Sequence, residues 1–162
     1  IGGGDARAVL GISMGGVAAT LYNLKEPDEF AGSAALSIAF RTEDQVIALS
    51  AEAYESRYAG LLGPGLEGEE RLNSHWKAIL PSAMTASIDN SGFSQIPRLY
   101  FDTGADDPFF QGAAELHLTL RDAGIKHRFL VREGKHDWNF WRLALTGAIL
   151  HIDAVFTRGY GE

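Results

Sequence analysis

The stretch Ala8-Val9-Leu10-Gly11-Ile12-Ser13-Met14-Gly15-Gly16 decides the fold. Three apolar residues run into the spacing G-x-S-x-G, after which Val17, Ala18, Ala19, Leu21, Tyr22 and Leu24 recur at helical intervals until Pro27. The reading is strand, sharp turn, helix. In so tight a turn the residues two before and two after the serine approach each other, so Gly11 and Gly15 are both expected to be sterically required. Ser13 then sits on strained backbone with its hydroxyl projecting, and the first N–H groups of the helix face any negative charge that develops beside it. The N–H of Met14 is the expected oxyanion donor. Gly16 gives the helix room to approach the sheet. The competing reading is a serine that merely caps a helix; the strand in front of it favours a nucleophile.

Working outward, residues 33–38, 98–104 and 126–131 read as further strands. Helical spacing covers 46–58, 72–80, 109–123 and 140–156, with Gly124 closing the third of these. Residues 60–68, rich in Gly and Pro, read as a loop, to which no lid function is assigned. Strands alternating with helical crossovers imply a parallel sheet covered by helices, in a single domain over residues 1–162. Gly2-Gly3-Gly4 is not a phosphate loop, because no G-x-G-x-x-G and no Lys-Ser/Thr pair follows it.

A serine hydroxyl is a weak nucleophile and requires a base that a third group holds in place. Both partners belong on loops at the carboxyl ends of later strands. Gly104-Ala105-Asp106-Asp107-Pro108 follows one strand, with Asp107 as the expected acid and Asp106 as the second choice. Gly134-Lys135-His136-Asp137-Trp138 follows the next, and His136 is the expected base. His117 and His151 fall inside helices and are set aside, while Asp137 reads as the cap of the final helix. Trp138 and Trp76, with His75 and Trp141 near them, are aromatic candidates for walling an acyl or aryl pocket.

Composition excludes several classes. Hydrophobic residues at 46% and charged residues at 22% are those of a globular protein and argue against disorder. A net charge of −7 with scattered basic residues makes nucleic acid a poor partner. With no cysteine there is neither a disulfide, nor a thiolate nucleophile, nor a Cys-based zinc site. No run approaches the roughly 18 apolar residues of a membrane span, and no targeting segment identifies a compartment. No ligand cluster suggests a metal or organic cofactor.

Gly11 to Gly16, the pair Asp28/Phe30, Gly104 to Asp107, and Gly134-Lys135-His136-Asp137-Trp138-Asn139-Phe140-Trp141 together resemble the family of α/β-hydrolases that contains esterase D-type, tributyrin and feruloyl esterases and the related mycolyltransferases. The last block, G-x-H-D-W-x-x-W, is the most specific. The resemblance implies a serine carboxylic-ester hydrolase acting on a small-molecule ester, with Ser13, His136 and Asp107 as its triad and no cofactor. An acyltransferase of the mycolyltransferase type and a catalytically inactive fragment are the alternatives. It further implies that this chain is the C-terminal part of the fold, starting at the nucleophile strand, because Ser13 comes almost at once. A preceding portion or companion chain is then expected, and dimerisation through the free sheet edge is the alternative. The missing portion would carry the second oxyanion donor, worth roughly 3 to 4 kcal/mol.

Overall fold

The computed structural model describes residues 6–80, 82–83, 85 and 97–157. Strands β1 (Ala8–Ile12), β2 (Gly32–Leu36), β3 (Leu99–Gly104) and β4 (His127–Arg132) pair in parallel in the order β1-β2-β3-β4. Helix α1 (Met14–Lys25) joins the first two strands. The long connection from β2 to β3 contains α2 (Glu43–Ile47), α3 (Ala51–Arg57), α4 (Ala59–Leu62), a 3₁₀ turn (Gly68–Arg71) and α5 (Ser74–Ile79). Helix α6 (Phe110–Asp122) links β3 to β4, and α7 (Trp138–Thr157) follows β4. A parallel sheet flanked by helices is what the alternation predicts.

The period of two along the strands builds the two faces. Ala35, Leu99 and Phe101 point to one side, where Val17 and Leu24 of α1 and Leu116 and Leu120 of α6 cover them. Ala34, Leu36 and Tyr100 point to the other, against Phe140, Ala144 and Ala148 of α7. All five residues of β2 are buried, and their small side chains let helices press close from both sides. A Cβ on Gly16 would already lie 3.2 Å from that of Ala35, as expected of that glycine.

A polar link ties β3 to β4 beneath the site. The fully buried Asp102 accepts the Tyr100 hydroxyl at 2.9 Å and the Arg132 Nε at 2.8 Å. Burial pushes the Asp102 carboxyl above the usual carboxylate range, against the opposing pull of Tyr100 and Arg132.

The β2–β3 connection has a core of its own, made of Val46, Tyr54, Tyr58, Leu62 and Trp76. Arg71, only 2% exposed, holds it together. Its Nη1 donates to the carbonyls of Val46, Ile47 and Leu49, its Nε donates to that of Leu66, and its guanidinium lies 4.5 Å from the Tyr54 ring centroid. The carbonyls at and just beyond the C-terminal end of α2 thus face a buried cation.

Several element boundaries differ from expectation. The helix predicted over 46–58 is two helices, because Thr42 caps one, in a capping box with Gln45, and Ser50 caps the next by accepting the Ala53 N–H. Residues 60–62, read as loop, complete α4, whose N–H of Leu62 and of Gly63 still reach carbonyls four residues back. The second strand stops at Leu36 rather than residue 38, since Ser37 turns to φ 47°. Asp137 does cap the final helix, its Oδ1 accepting the N–H of Asn139 and of Phe140.

Against the expectation that no run approaches a membrane span, α7, at 20 residues and with a mean hydropathy of 1.2, is long and apolar enough to cross a membrane by length and composition alone. In this fold it lays Phe140, Ala144, Ala148 and Val155 on the sheet. Among the described residues β1 is an edge strand of the sheet, with Leu10 38% exposed, as the sequence anticipates.

Candidate active site

The carboxyl ends of β1, β3 and β4 carry Ser13, Asp107 and His136. Ser13 adopts φ 57° and ψ −121°, a conformation that costs a non-glycine residue about 1–3 kcal/mol. Backbone bonds on both sides hold it there. Its N–H donates to Leu36 of β2 at 2.9 Å, and its carbonyl accepts from Gly16, Val17 and Ala39. Gly11 is the steric condition for the turn, because a Cβ there would run into the Gly15 carbonyl. Gly15 corrects the expectation of two required glycines: a Cβ built on it meets nothing within 4 Å. Only one of the two glycines points its missing side chain into the turn.

The Ser13 hydroxyl makes no cap bond to α1. Its Oγ instead lies 3.0 Å from Nε2 of His136, whose Nδ1 lies 2.9 and 3.2 Å from the two carboxylate oxygens of Asp107. Asp107, with its side chain fully buried, uses Oδ1 also to accept the Phe109 N–H at 2.9 Å. It is therefore both the turn residue that its position after a strand suggests and the partner of the imidazole. Asp106 is exposed, and its backbone N–H is bound to Gly134. Of the two adjacent aspartates, Asp107 is the one that meets His136.

With Nδ1–H donated to Asp107, Nε2 is the basic nitrogen and faces the hydroxyl, which is the tautomer a general base requires. The Phe109 ring packs 4.9 Å from the imidazole centroid, and Trp141 stands edge-on to it at 5.2 Å. These rings restrict the imidazole to the plane that joins its two partners. The Ser13 N–H is committed to β2. Met14 opens α1 directly after Ser13, and the N–H groups of a first helical turn have no acceptor within the helix.

A cavity of ≈ 450 Å³ opens over this relay, with Ser13, His136, Met14 and Ala39 at its base and Arg57, Tyr58 and Phe109 on its walls. Tyr58, Arg57 and Ala39 escape sequence reasoning, because they belong to a connection that carries no motif; the helical spacing over 46–58 reveals only that Tyr58 is apolar-facing. Trp76 is 3% exposed and lines a neighbouring apolar pocket. Trp138 is 66% exposed and edge-on to Trp141, one ring removed from the base, and His75 is exposed. Among the described residues, no group of three or more His, Asp or Glu side chains is placed to hold a metal ion.

A parallel sheet with flanking helices and a Ser–His–Asp relay at its carboxyl edge is the core of the α/β-hydrolase fold, present among the described residues with four strands. The chain belongs to the family described as "Putative esterase", which matches residues 2–152. An acetyl esterase from Caldicellulosiruptor saccharolyticus is 30% identical over an alignment of 145 residues that covers 85% of this chain and 51% of that protein. Of solved structures, a ferulic acid esterase superposes with a TM-score of 0.67 at 26% identity, over 96% of this chain and 54% of its own. A substrate-bound fluorophosphonate-binding serine hydrolase from Staphylococcus aureus superposes at 0.69 over 92% of this chain and 55% of its own; at 22% identity it attests the fold. The chain thus spans about half the length of these relatives.

Proposed function

We propose that this chain carries the catalytic centre of a serine carboxylic-ester hydrolase that works through an acyl-enzyme. The observation that carries the reading is the unbroken relay from Ser13 Oγ through both nitrogens of His136 to Asp107. Ser13 Oγ attacks the ester carbonyl while His136 Nε2 takes its proton. The carbonyl oxygen becomes an oxyanion at the N–H of Met14. As the intermediate collapses, the C–O bond to the alcohol breaks and Nε2 returns the proton to the leaving oxygen. Water then gives its proton to Nε2 and attacks the acyl carbon, and Ser13 recovers the proton as the acid departs. Asp107 holds the tautomer and stabilises the imidazolium without itself taking a proton.

The chain is further proposed to be the C-terminal portion of its α/β-hydrolase, which its coverage of about half of each relative and the free edge of β1 support. The partner of β1 and the second oxyanion donor then come from the rest of the protein. The finer likeness, to the group that contains the esterase D, tributyrin and feruloyl types, is supported most specifically by the Gly134–Trp141 block.

Reaction of the full-length native protein with a fluorophosphonate probe, followed by mass mapping, tests the hydrolase reading. Ser13 is the expected adduct site, and Ser13→Ala is expected to remove nearly all ester turnover with the circular dichroism unchanged. A folded protein whose Ser13 stays unlabelled and which cleaves no ester refutes it.

A further inference from the structure

A second pocket lies beside the relay. It has a volume of ≈ 170 Å³ and lies between α1, which supplies Met14, Ala18 and Leu21, and the β2–β3 connection, which supplies Leu61, Trp76 and Ile79. Met14, Ala39 and Tyr58 line both this pocket and the cavity over Ser13, so the two adjoin at the residue that follows the nucleophile. The wall is almost entirely carbon. Arg41 contributes the one charged side chain, and its Nε is engaged by the Tyr58 hydroxyl at 3.1 Å while its guanidinium lies over the Phe109 ring.

The reaction gives the two cavities different occupants. His136 Nε2 must reach the leaving oxygen to protonate it, so the alcohol lies toward His136 and Phe109, in the cavity over the relay. The acyl substituent leaves the reacting carbon in another direction, and the apolar pocket that adjoins the cavity at Met14 is the space next to it. An apolar cavity of about 150 Å³ is known to admit a benzene ring, so this pocket holds a chain of about four to six carbons or one ring. An acetyl group leaves most of it unfilled.

We propose that the pocket bounded by Met14, Ala18, Leu61 and Trp76 is the acyl subsite and selects esters of apolar acids, either linear with about four to six carbons or carrying a single ring, over acetyl esters. This rests on the hydrolase reading above. Buried methylenes contribute to transition-state binding, so kcat/KM rises with acyl length until the pocket is full and then declines as further carbons clash or return to water. Ala18 and Leu61 lie on the pocket's rim, half-buried and 47% exposed respectively, and set its depth without supporting the main sheet.

The test uses full-length native protein with p-nitrophenyl acetate, butyrate, hexanoate, octanoate, decanoate and benzoate, and in parallel alkyl butyrates of increasing alcohol length. Expected is a roughly fourfold gain in kcat/KM per acyl methylene up to butyryl or hexanoyl, a fall beyond, and little response to alcohol length. Benzoate turned over as well as hexanoate supports a ring-shaped occupant, and hexanoate alone a linear one. Ala18→Leu moves the optimum to a shorter acyl group, and Leu61→Ala, which only removes atoms from the rim, moves it to a longer one. Equal rates along the acyl series, or a length optimum in the alcohol instead, with Ser13 still labelled by fluorophosphonate, overturn the subsite assignment and leave the hydrolase reading intact. Loss of both labelling and turnover in the parent protein overturns the two together.

Discussion

Gly104 at the end of β3 and Gly134 beyond β4 cross so closely that a Cβ on the first would strike the carbonyl of the second. The same carbonyl accepts the N–H of Asp106 at 3.0 Å, and the Ala105 N–H reaches Arg132 at 2.8 Å. The loop that carries the acid and the loop that carries the base are therefore fastened to each other a few residues from Asp107 and His136. Their registration does not depend on the sheet alone.

Gly104→Ala is expected to push these loops apart. A displacement of about 1 Å between catalytic groups costs on the order of 100-fold in rate. The variant should lose kcat and fluorophosphonate labelling of Ser13 by about that factor while retaining helical circular dichroism. Wild-type kinetics would mean that the crossing has no part in aligning the relay.

Asp107→Asn keeps an acceptor for the Phe109 N–H but offers His136 the wrong partner for an Nδ1–H donor. The imidazole then turns its protonated nitrogen toward Ser13, and kcat is expected to fall about 10⁴-fold with little change in Tm. Asp106→Asn, at an exposed position, should leave kcat within twofold or so of the parent. Steady-state kinetics on the pair distinguish the adjacent aspartates.

The nucleophile turn makes an asymmetric prediction. Gly11→Ala forces a methyl into the Gly15 carbonyl and should destabilise the protein by about 2 kcal/mol or more, with loss of Ser13 reactivity. Gly15→Ala points its methyl into open space at the start of α1 and should be neutral or slightly stabilising. Denaturant titrations of both variants provide the measurement; equal effects would contradict the geometry.

Burial holds His127 and His151 below the usual histidine value, His127 against a bond to the Ile125 backbone and His151 against a bond to the Arg98 backbone, with the charges of Arg128 and Arg98 adding to the lowering of His151. A histidine depressed in the folded state takes up its proton first in the unfolded chain, near pH 6.5. Its contribution to stability is complete above that pH and is lost progressively as pH falls from about 6.5 toward the folded value. Tm is therefore expected to drop between pH 7 and 5, and the His127→Asn/His151→Asn variant should show a shallower drop. Asp102, pushed up by burial, acts with the opposite sign, so the difference between parent and variant isolates the histidines. Parallel Tm profiles would refute the assignment.

Much of this site is legible in the chain because its signals are local. Gly11, Ser13 and Gly15 announce a strand-to-helix turn within five residues. Asp107 and His136 each follow a recognisable strand, and a strand end is where a parallel sheet exposes its loops. The final helix is equally plain, since Asp137 sits just ahead of a long apolar period. The β2–β3 connection resists such reading: Ser50, an adequate cap, interrupts a period that otherwise runs on, and the helical ends there are secured by Arg71, whose partners lie 5 to 25 residues away.

What the order of residues alone determined is the chemistry: a nucleophile on a strained turn, a base and an acid, in the sequence that a parallel α/β sheet brings to one edge. What only the tertiary structure decided is selection among near-equivalents. It is the burial of Asp107 against His136 that separates it from Asp106, the direction of one absent Cβ that separates Gly11 from Gly15, and the convergence of α1 with α4 and α5 that makes Leu61 and Trp76 walls of a pocket beside Met14. Backbone propensity is encoded by neighbours in the chain, whereas burial, side-chain direction and cavity shape arise from contacts between residues far apart along it.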